Sequence, residues 1–329
     1  VGILSDIYFL DKIKMGFTGR NIFYHGAFFI FMMVHTLWTS AETFQMPEPG
    51  NDVVGEVQII TAMQKDTLAD IAQRYRIGYD ELVIANPSAS LHRLAKGTPI
   101  TLPTRYLLPA LPHEGIVINL AEKRLYYFPP ANENEGLPRV ETFPISVGRM
   151  GWETPPVTTS VIEKKVNPVW YPPQSIRDEQ ANATGMVLPS KVKPGPENPL
   201  GKYALYLGVP YYRIHGTNNK SSIGKQVTHG CIRLYPDDIE HLYNEVTTGT
   251  PVRIINQPYK AGWFGGKLYV EIHPWLENTP ADEVENKSIL EKEIARATRG
   301  HSGYPVDWNK IMTMKQHPDG IPAVVDPGL

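Results

Sequence analysis

Punctuation restricts this chain more than anything else in it. Thirty prolines and 27 glycines are spread through 329 residues, and the apolar residues between them fall in short runs. Proline removes a helical hydrogen bond and clashes with the preceding turn, so a bundle of long helices is excluded. Short apolar runs between turn residues spell strands. Gly115–Leu120 and Lys123–Phe128 lie two residues apart and predict a hairpin. Further strands are expected at 140–148, 157–166, 203–207, 211–214 and 252–255. The expected fold is mainly β, a sandwich or barrel. One helix is expected over 236–246. Pro236 suits its first turn, Ile239, Leu242, Tyr243 and Val246 share a face, and Gly249 follows its end. A C-terminal, helix-containing extension occupies 257–329, with a strand at Lys267–Ile272, a charged helix over 281–298 and a loosely packed tail from 302.

Composition narrows the class of function. Hydrophobic residues make up 42% and charged residues 20%, so wholesale disorder is excluded. A net charge of −2 provides no basic footprint for nucleic acid. Cys231 is the single cysteine. It can form no internal disulfide, and no CxxC pair is present to hold zinc. Near the N-terminus, Lys12, Lys14 and Arg20 precede the apolar run Ala27–Trp38, followed by Thr39-Ser40-Ala41. That is the order of a signal peptide over 1–41, cut after Ala41, with translation starting at Met15 and residues 1–14 a start-site artefact. A retained anchor is the lesser reading, because the run falls short of the ~20 residues that span a bilayer. The mature protein is thus expected to work outside the cytoplasm. Cysteines outside the cytoplasm are normally paired, so a lone one calls for a chemical explanation.

Residues 42–55 have linker composition. In 56–104, a strand at 57–62 precedes a helix capped by Thr67 with Asp70 three residues on. Leu68, Ile71, Ala72 and Tyr75 form its apolar face. Gly78 breaks that helix, a second one covers 81–84 and stops at Asn86-Pro87, and Gly97–Pro103 is turn and strand. Asp66-Thr67-Leu68, Ile71-Ala72, Tyr75, Leu82, Asn86-Pro87 and Gly97 together resemble a LysM module. The resemblance implies binding to the N-acetylglucosamine-containing glycan of peptidoglycan; a βααβ domain without a ligand is the plainer alternative.

The chemistry gathers around Cys231, in His215-Gly216-Thr217, Ile223-Gly224 and Thr228-His229-Gly230-Cys231-Ile232-Arg233-Leu234. A free thiol is only a few per cent ionised near neutrality, so a nucleophilic cysteine needs a base. His215 stands at the end of an expected strand and can serve if its segment lies beside that of Cys231. Gly230 permits a tight turn, so that nearby amides converge on an oxyanion. Arg233 either binds a substrate carboxylate or pairs with Asp237 or Asp238. Trp170 and Tyr171 either line a groove or pack as a core pair. His241 and His273 read as structural.

This run is similar to the signature of the L,D-transpeptidases with a YkuD-type catalytic domain, over residues 114–256. With the LysM-like module and the extension, the chain resembles the periplasmic ErfK/YbiS/YcfS/YnhG group. Thr228 stands where the family often has serine. The resemblance implies a YkuD-like β-sandwich in which Cys231 attacks the third residue of a peptidoglycan tetrapeptide stem, D-alanine leaves, and a thioester remains. His215 is then the base. Gly230 and Cys231, with position 229, supply the oxyanion amides, and Thr228 and His229 support their loop. Arg233, Gly216, Trp170 and Tyr171 contact substrate, and no metal or organic cofactor is required. An acceptor amine on a second stem gives a 3→3 cross-link, a lysine of an outer-membrane lipoprotein gives an anchored protein, and water makes the enzyme an L,D-carboxypeptidase. A non-catalytic peptidoglycan-binding protein is the reading from another class. The intact Cys/His/Gly/Arg set argues against it, and the LysM-like module argues against a cysteine protease.

Overall fold

The predicted hairpin forms, Gly115–Asn119 against Arg124–Phe128, and a nine-stranded sheet extends from it on both sides. In this computed structural model the described residues are 42–130, 137–277, 283–301 and 303–328. The expected signal segment, 1–41, lies outside them. Among the described residues no helix is long and apolar enough to cross a membrane.

Across the sheet the order is Glu42–Gln45, Arg139–Pro144, Arg124–Phe128, Gly115–Asn119, Pro251–Ile255, Val157–Val166, Tyr203–Leu207, Arg213–His215 and Ile232–Arg233. Neighbours are antiparallel except at two places. Pro251–Ile255 runs parallel to Gly115–Asn119, and Ile232–Arg233 runs parallel to Arg213–His215. The long strand Val157–Val166 is the pivot. Residues 157–160 pair with Pro251–Ile255, residues 161–166 pair with Tyr203–Leu207, and the register shifts between Val161 and Glu163. Such an irregularity bends a strand. Ile118, Leu125 and Phe143 from one half of the sheet share a core with Leu205, Ile214 and Ile232 from the other. Helix Pro236–Glu245 adds Ile239 and Leu242 to that core.

Two expectations are corrected. Residues 42–55 are not a linker: Glu42–Gln45 is an edge strand of the main sheet, and Val53–Gly55 pairs with Arg105–Leu107. Phe44 and Val54 pack with Tyr106 and Val140, giving this polar-looking segment an apolar anchor. The tail is not loose either. Helix Trp308–Gln316 buries Ile311, and Ala323–Val324 joins Lys267–Ile272 in a three-stranded sheet with Tyr259–Phe264. Ile311 and Val325 reach the same core as Trp263, Leu268 and Leu290. A few well-placed apolar side chains suffice there, too sparse to show a period in the sequence. Helix Glu283–Ala297 falls where the charged stretch predicts it.

The βααβ pattern forms as Gln58–Thr61, Leu68–Tyr75, Tyr79–Ile84 and Pro99–Leu102. Thr67 Oγ1 accepts from the Asp70 amide at 3.1 Å, and the Asp70 carboxylate accepts from the Thr67 amide at 3.0 Å, a reciprocal cap. This unit sits on the loop that joins the two halves of the cysteine motif. Tyr79 and Asp80 amides donate to the Ile223 and Gly224 carbonyls, each at 3.3 Å. Gly224 has φ +82°, and a Cβ there would lie 2.1 Å from the Tyr79 nitrogen, so only glycine permits the approach. Arg124 donates to both Glu81 oxygens, at 2.6 and 2.7 Å, and Arg76 pairs with Asp238 at 2.7 Å.

Candidate active site

The residues of the motif converge because two parallel strands bring them into register. Ile214 lies opposite Ile232 and His215 opposite Arg233, so one rung earlier Arg213 faces Cys231. Ile214 and Ile232 point into the core. Strand side chains alternate between faces, so Arg213, His215, Cys231 and Arg233 share the opposite face. All four line one cleft of about 690 Å³. Trp170 and Tyr171 line it too, together with Trp152, Tyr212 and the first residues of helix Gln174–Thr184. Thr228 and His229 complete the rim beside the cysteine.

The electrostatics define a resting state. His215 is buried, and its Nδ1 lies 2.6 Å from the Gly216 carbonyl oxygen. A carbonyl only accepts, so Nδ1 carries the proton and Nε2 the lone pair. Burial, reinforced by the positive charge of Arg233, pushes the imidazole pKa down to about 3. The ring is therefore neutral at physiological pH, as a general base must be. Cys231 is half-buried and its thiol donates to the Tyr211 carbonyl at 3.4 Å. Burial pushes that thiol up, while Arg213 and Arg233 pull it down.

Hydrogen bonds brace the loop around the sulfur. Thr228 Oγ1 donates to the Cys231 carbonyl at 2.7 Å and accepts from the Gly230 amide at 3.1 Å. Thr154 Oγ1 donates to the Gly230 carbonyl at 2.8 Å. Gly230 adopts φ +96°, in keeping with the tight turn expected of it, and a Cβ there would press on the Tyr212 ring at 2.9 Å. One expectation changes: the Gly230 amide already serves Thr228, so it is not free for an oxyanion. The amides of His229 and Cys231 have no acceptor among the described residues. Gly216 is corrected as well. It is buried and lies beneath the imidazole, holding it through its carbonyl, rather than on the cleft wall.

His229 Nε2 lies 2.8 Å from Glu179 Oε2 and 3.1 Å from Arg149 Nη2, and its ring meets the edge of Trp152 at 4.8 Å between centroids. Hydrogen bonds from His229 and Arg149 hold the Glu179 carboxyl below the usual range. This group ties helix Gln174–Thr184 to the cysteine loop. Asp237 and Asp238 pair with Arg76, which removes the ion pair considered for Arg233. His241 bonds Glu141 at 2.8 Å and His273 bonds Glu271 at 2.6 Å, both away from the cleft. Among the described residues, Glu122, Glu271 and His273 are grouped closely enough to hold a metal. The Lys260 ammonium pairs with both carboxylates and already supplies the countercharge.

The sequence reading missed Arg213, Arg149, Glu179 and the helix over the cleft. Arg213 was within reach, since it stands two residues before His215 on an expected strand and shares its face. Glu179 carried no signal, because helix Gln174–Thr184 buries no residue fully and so has no apolar stripe.

Residues 113–254 match the model of the L,D-transpeptidase catalytic domain, YkuD. The chain is 39% identical over 270 residues to "Probable L,D-transpeptidase YbiS" of Escherichia coli K12, covering 81% of this chain and 86% of that protein. It is 36% identical over 293 residues to "Probable L,D-transpeptidase ErfK/SrfK" of the same strain, covering 88% and 92%. With "Probable L,D-transpeptidase YcfS" the identity is 39% over 249 residues, covering 74% and 76%. Similarity at this level over most of both chains, around a cysteine and a histidine sharing one cleft, makes this protein a member of the L,D-transpeptidase family with a YkuD-type catalytic domain.

Proposed function

We propose that Cys231 is the nucleophile of this L,D-transpeptidase and His215 its general base, acting on tetrapeptide stems of peptidoglycan. The observation that carries the reading is that a cleft-facing thiol and a neutral imidazole, its Nδ1 held by the Gly216 carbonyl, lie on one face of adjacent parallel strands and line one cleft. The thiol proton passes to Nε2 as sulfur attacks the carbonyl of the third stem residue. The amides of Cys231 and His229 face the charge that develops on oxygen. Collapse breaks the peptide bond, His215 returns its proton to the departing amine of D-alanine, and a thioester remains. An acceptor amine then attacks the thioester. A second stem gives a 3→3 cross-link, and a lipoprotein lysine gives an anchored protein. Water in the same place gives L,D-carboxypeptidase activity.

Within this reading the βααβ unit over 56–104 is a LysM module that holds the glycan, Trp170 and Tyr171 form the stem-binding wall, and the protein works in the periplasm behind a signal peptide. The capped helix and the Asn86-Pro87 stop support the module assignment. Purified protein incubated with disaccharide-tetrapeptide is expected to release D-alanine and give a dimer, a tripeptide or, with lipoprotein present, a conjugate, each distinguishable by mass spectrometry. C231A is expected to abolish all three, and to lose the covalent adduct that a carbapenem leaves on the wild-type thiol. Normal turnover by C231A would overturn the assignment of the nucleophile.

A further inference from the structure

One short stretch of the βααβ unit takes hold of the cysteine motif on both sides. Residues 76–80 run from the end of helix Leu68–Tyr75 into the first turn of helix Tyr79–Ile84. Before Cys231, the Tyr79 and Asp80 amides bond the Ile223 and Gly224 carbonyls, and the Lys225 ammonium lies 4.0 Å from the centre of the Tyr79 ring. From there the chain enters strand Gln226–Thr228 and then the cysteine loop. After Cys231, Arg76 donates to Asp238 Oδ1 at 2.7 Å and to Asp237 Oδ2 at 3.2 Å, and its guanidinium lies 5.0 Å from the centre of the Tyr235 ring. Those three residues sit at the start of helix Pro236–Glu245, directly beyond Ile232–Arg233. Asp238 is fully buried, so this pair is not a loose surface contact. Arg76 itself has φ +57° at the end of its helix, a place that usually takes glycine. Strain of this kind persists where the surroundings hold it. A module that only delivered the enzyme to its substrate has no use for a grip on both flanks of a nucleophile.

We propose that Arg76 is a positioning residue for Cys231, and that through it the βααβ unit acts on the chemical step as well as on where the enzyme sits. This rests on Cys231 being the nucleophile. The thiol and His215 stand on adjacent parallel strands, and their approach depends on the register of Ile232–Arg233 against Ile214–His215. The contacts of Tyr79 and Asp80 fix the chain that leads into the cysteine loop. Arg76 fixes the chain that leaves it, through Tyr235, Asp237 and Asp238. With the exit released, sulfur loses its set place beside the imidazole, and a small misplacement of reacting groups is expensive in rate.

The test uses free tetrapeptide stems without sugar, so that capture of glycan cannot contribute. It measures D-alanine release per active site, the sites being counted by intact mass after carbapenem acylation carried to completion. R76Q is expected to lower kcat about 10- to 100-fold, with KM within about twofold of wild type and binding to purified peptidoglycan unchanged. R76K, which keeps the charge without the planar fork, should retain part of the rate. D238A opens the same joint from the other side and should repeat the split between kcat and KM. Cys231 is the single cysteine, so thiol alkylation reports this sulfur alone. Its pH profile should move upward in R76Q as the thiol loses its base. If R76Q does not fold, R76K and D238A carry the same comparisons. The proposal is overturned if the variants release D-alanine from free stems at the wild-type rate per site. A loss confined to glycan-bearing donors also overturns it, since the unit then serves for capture alone. So does a drop in total release with kcat per acylated site and the alkylation profile both unmoved, since Arg76 then contributes only to stability. Normal turnover by C231A would instead remove the nucleophile on which the proposal rests, a result that no Arg76 or Asp238 variant can produce.

Discussion

Among the contacts that join the βααβ unit to the catalytic sheet, the Arg124–Glu81 ion pair is the most deeply buried, and removing Glu81 should expose how much it contributes. Arg124 is 1% exposed and donates to both Glu81 oxygens, donates to Thr142 Oγ1 at 3.1 Å, and stacks on the Tyr106 ring at 4.0 Å. E81A leaves this cation in place without its main partner, a change that costs about 3–5 kcal/mol in buried pairs. Glu42, 4.0 Å from Arg124, modifies the figure. Burial raises its carboxyl to about 7, against the pull of Arg124, and Glu81 raises it further. Because the folded pKa lies above the unfolded one, Glu42 favours the native state below about pH 4.5, and that contribution is lost as pH rises toward 7. Without Glu81, Glu42 ionises more readily and takes over part of the neutralisation of Arg124. The cost of E81A is therefore expected near 4 kcal/mol at pH 6 and about 1–2 kcal/mol less at pH 8. Urea unfolding followed by tryptophan fluorescence measures both, with the cost read from the midpoint at constant slope. E81L combined with R124M removes both charges and should recover most of the loss. A cost under about 1 kcal/mol at pH 6, or one that grows toward pH 8, would refute the reasoning.

Three further outcomes follow from the site. His215 is depressed to about 3, so it stays neutral down to mildly acidic pH and the acid limb of kcat/KM should not appear near 6.5. The same depression makes stability complete above pH 6.5 and lost progressively as pH falls toward 3, at up to about 1.4 kcal/mol per pH unit; H215Q should flatten the stability profile in that window. T228V removes the hydroxyl that bonds both the Cys231 carbonyl and the Gly230 amide, and should cost about 1–3 kcal/mol and a larger share of turnover, whereas T228S keeps both; parallel urea and donor-release assays separate the two effects. G224A places a Cβ 2.1 Å from the Tyr79 nitrogen at φ +82° and should loosen the βααβ unit from the sheet, seen as new protease cutting near residues 78–80 with little change in that unit's own core.

What could be read from the residues alone is what local physics controls. Proline and glycine spacing set the strands, Thr67 and Asp70 set a helix start, Pro236 set another, and a lone cysteine between a glycine and an isoleucine, with a histidine 16 residues earlier, marked the chemistry. Each depends on neighbours a few residues apart or on residue type alone. Tertiary structure decided what depends on partners far along the chain. It bent the sheet at Val161 and seated the 42–55 segment as strands. It assigned the Gly230 amide to Thr228 rather than to an oxyanion, and joined Glu179 to His229 across 50 residues. Among the described residues it also left Arg213 and Arg233 without an ion pair, with their Nε atoms buried and unpartnered. Whether a charge is paired is a property of everything that surrounds it, and no stretch of sequence around either arginine contains that answer.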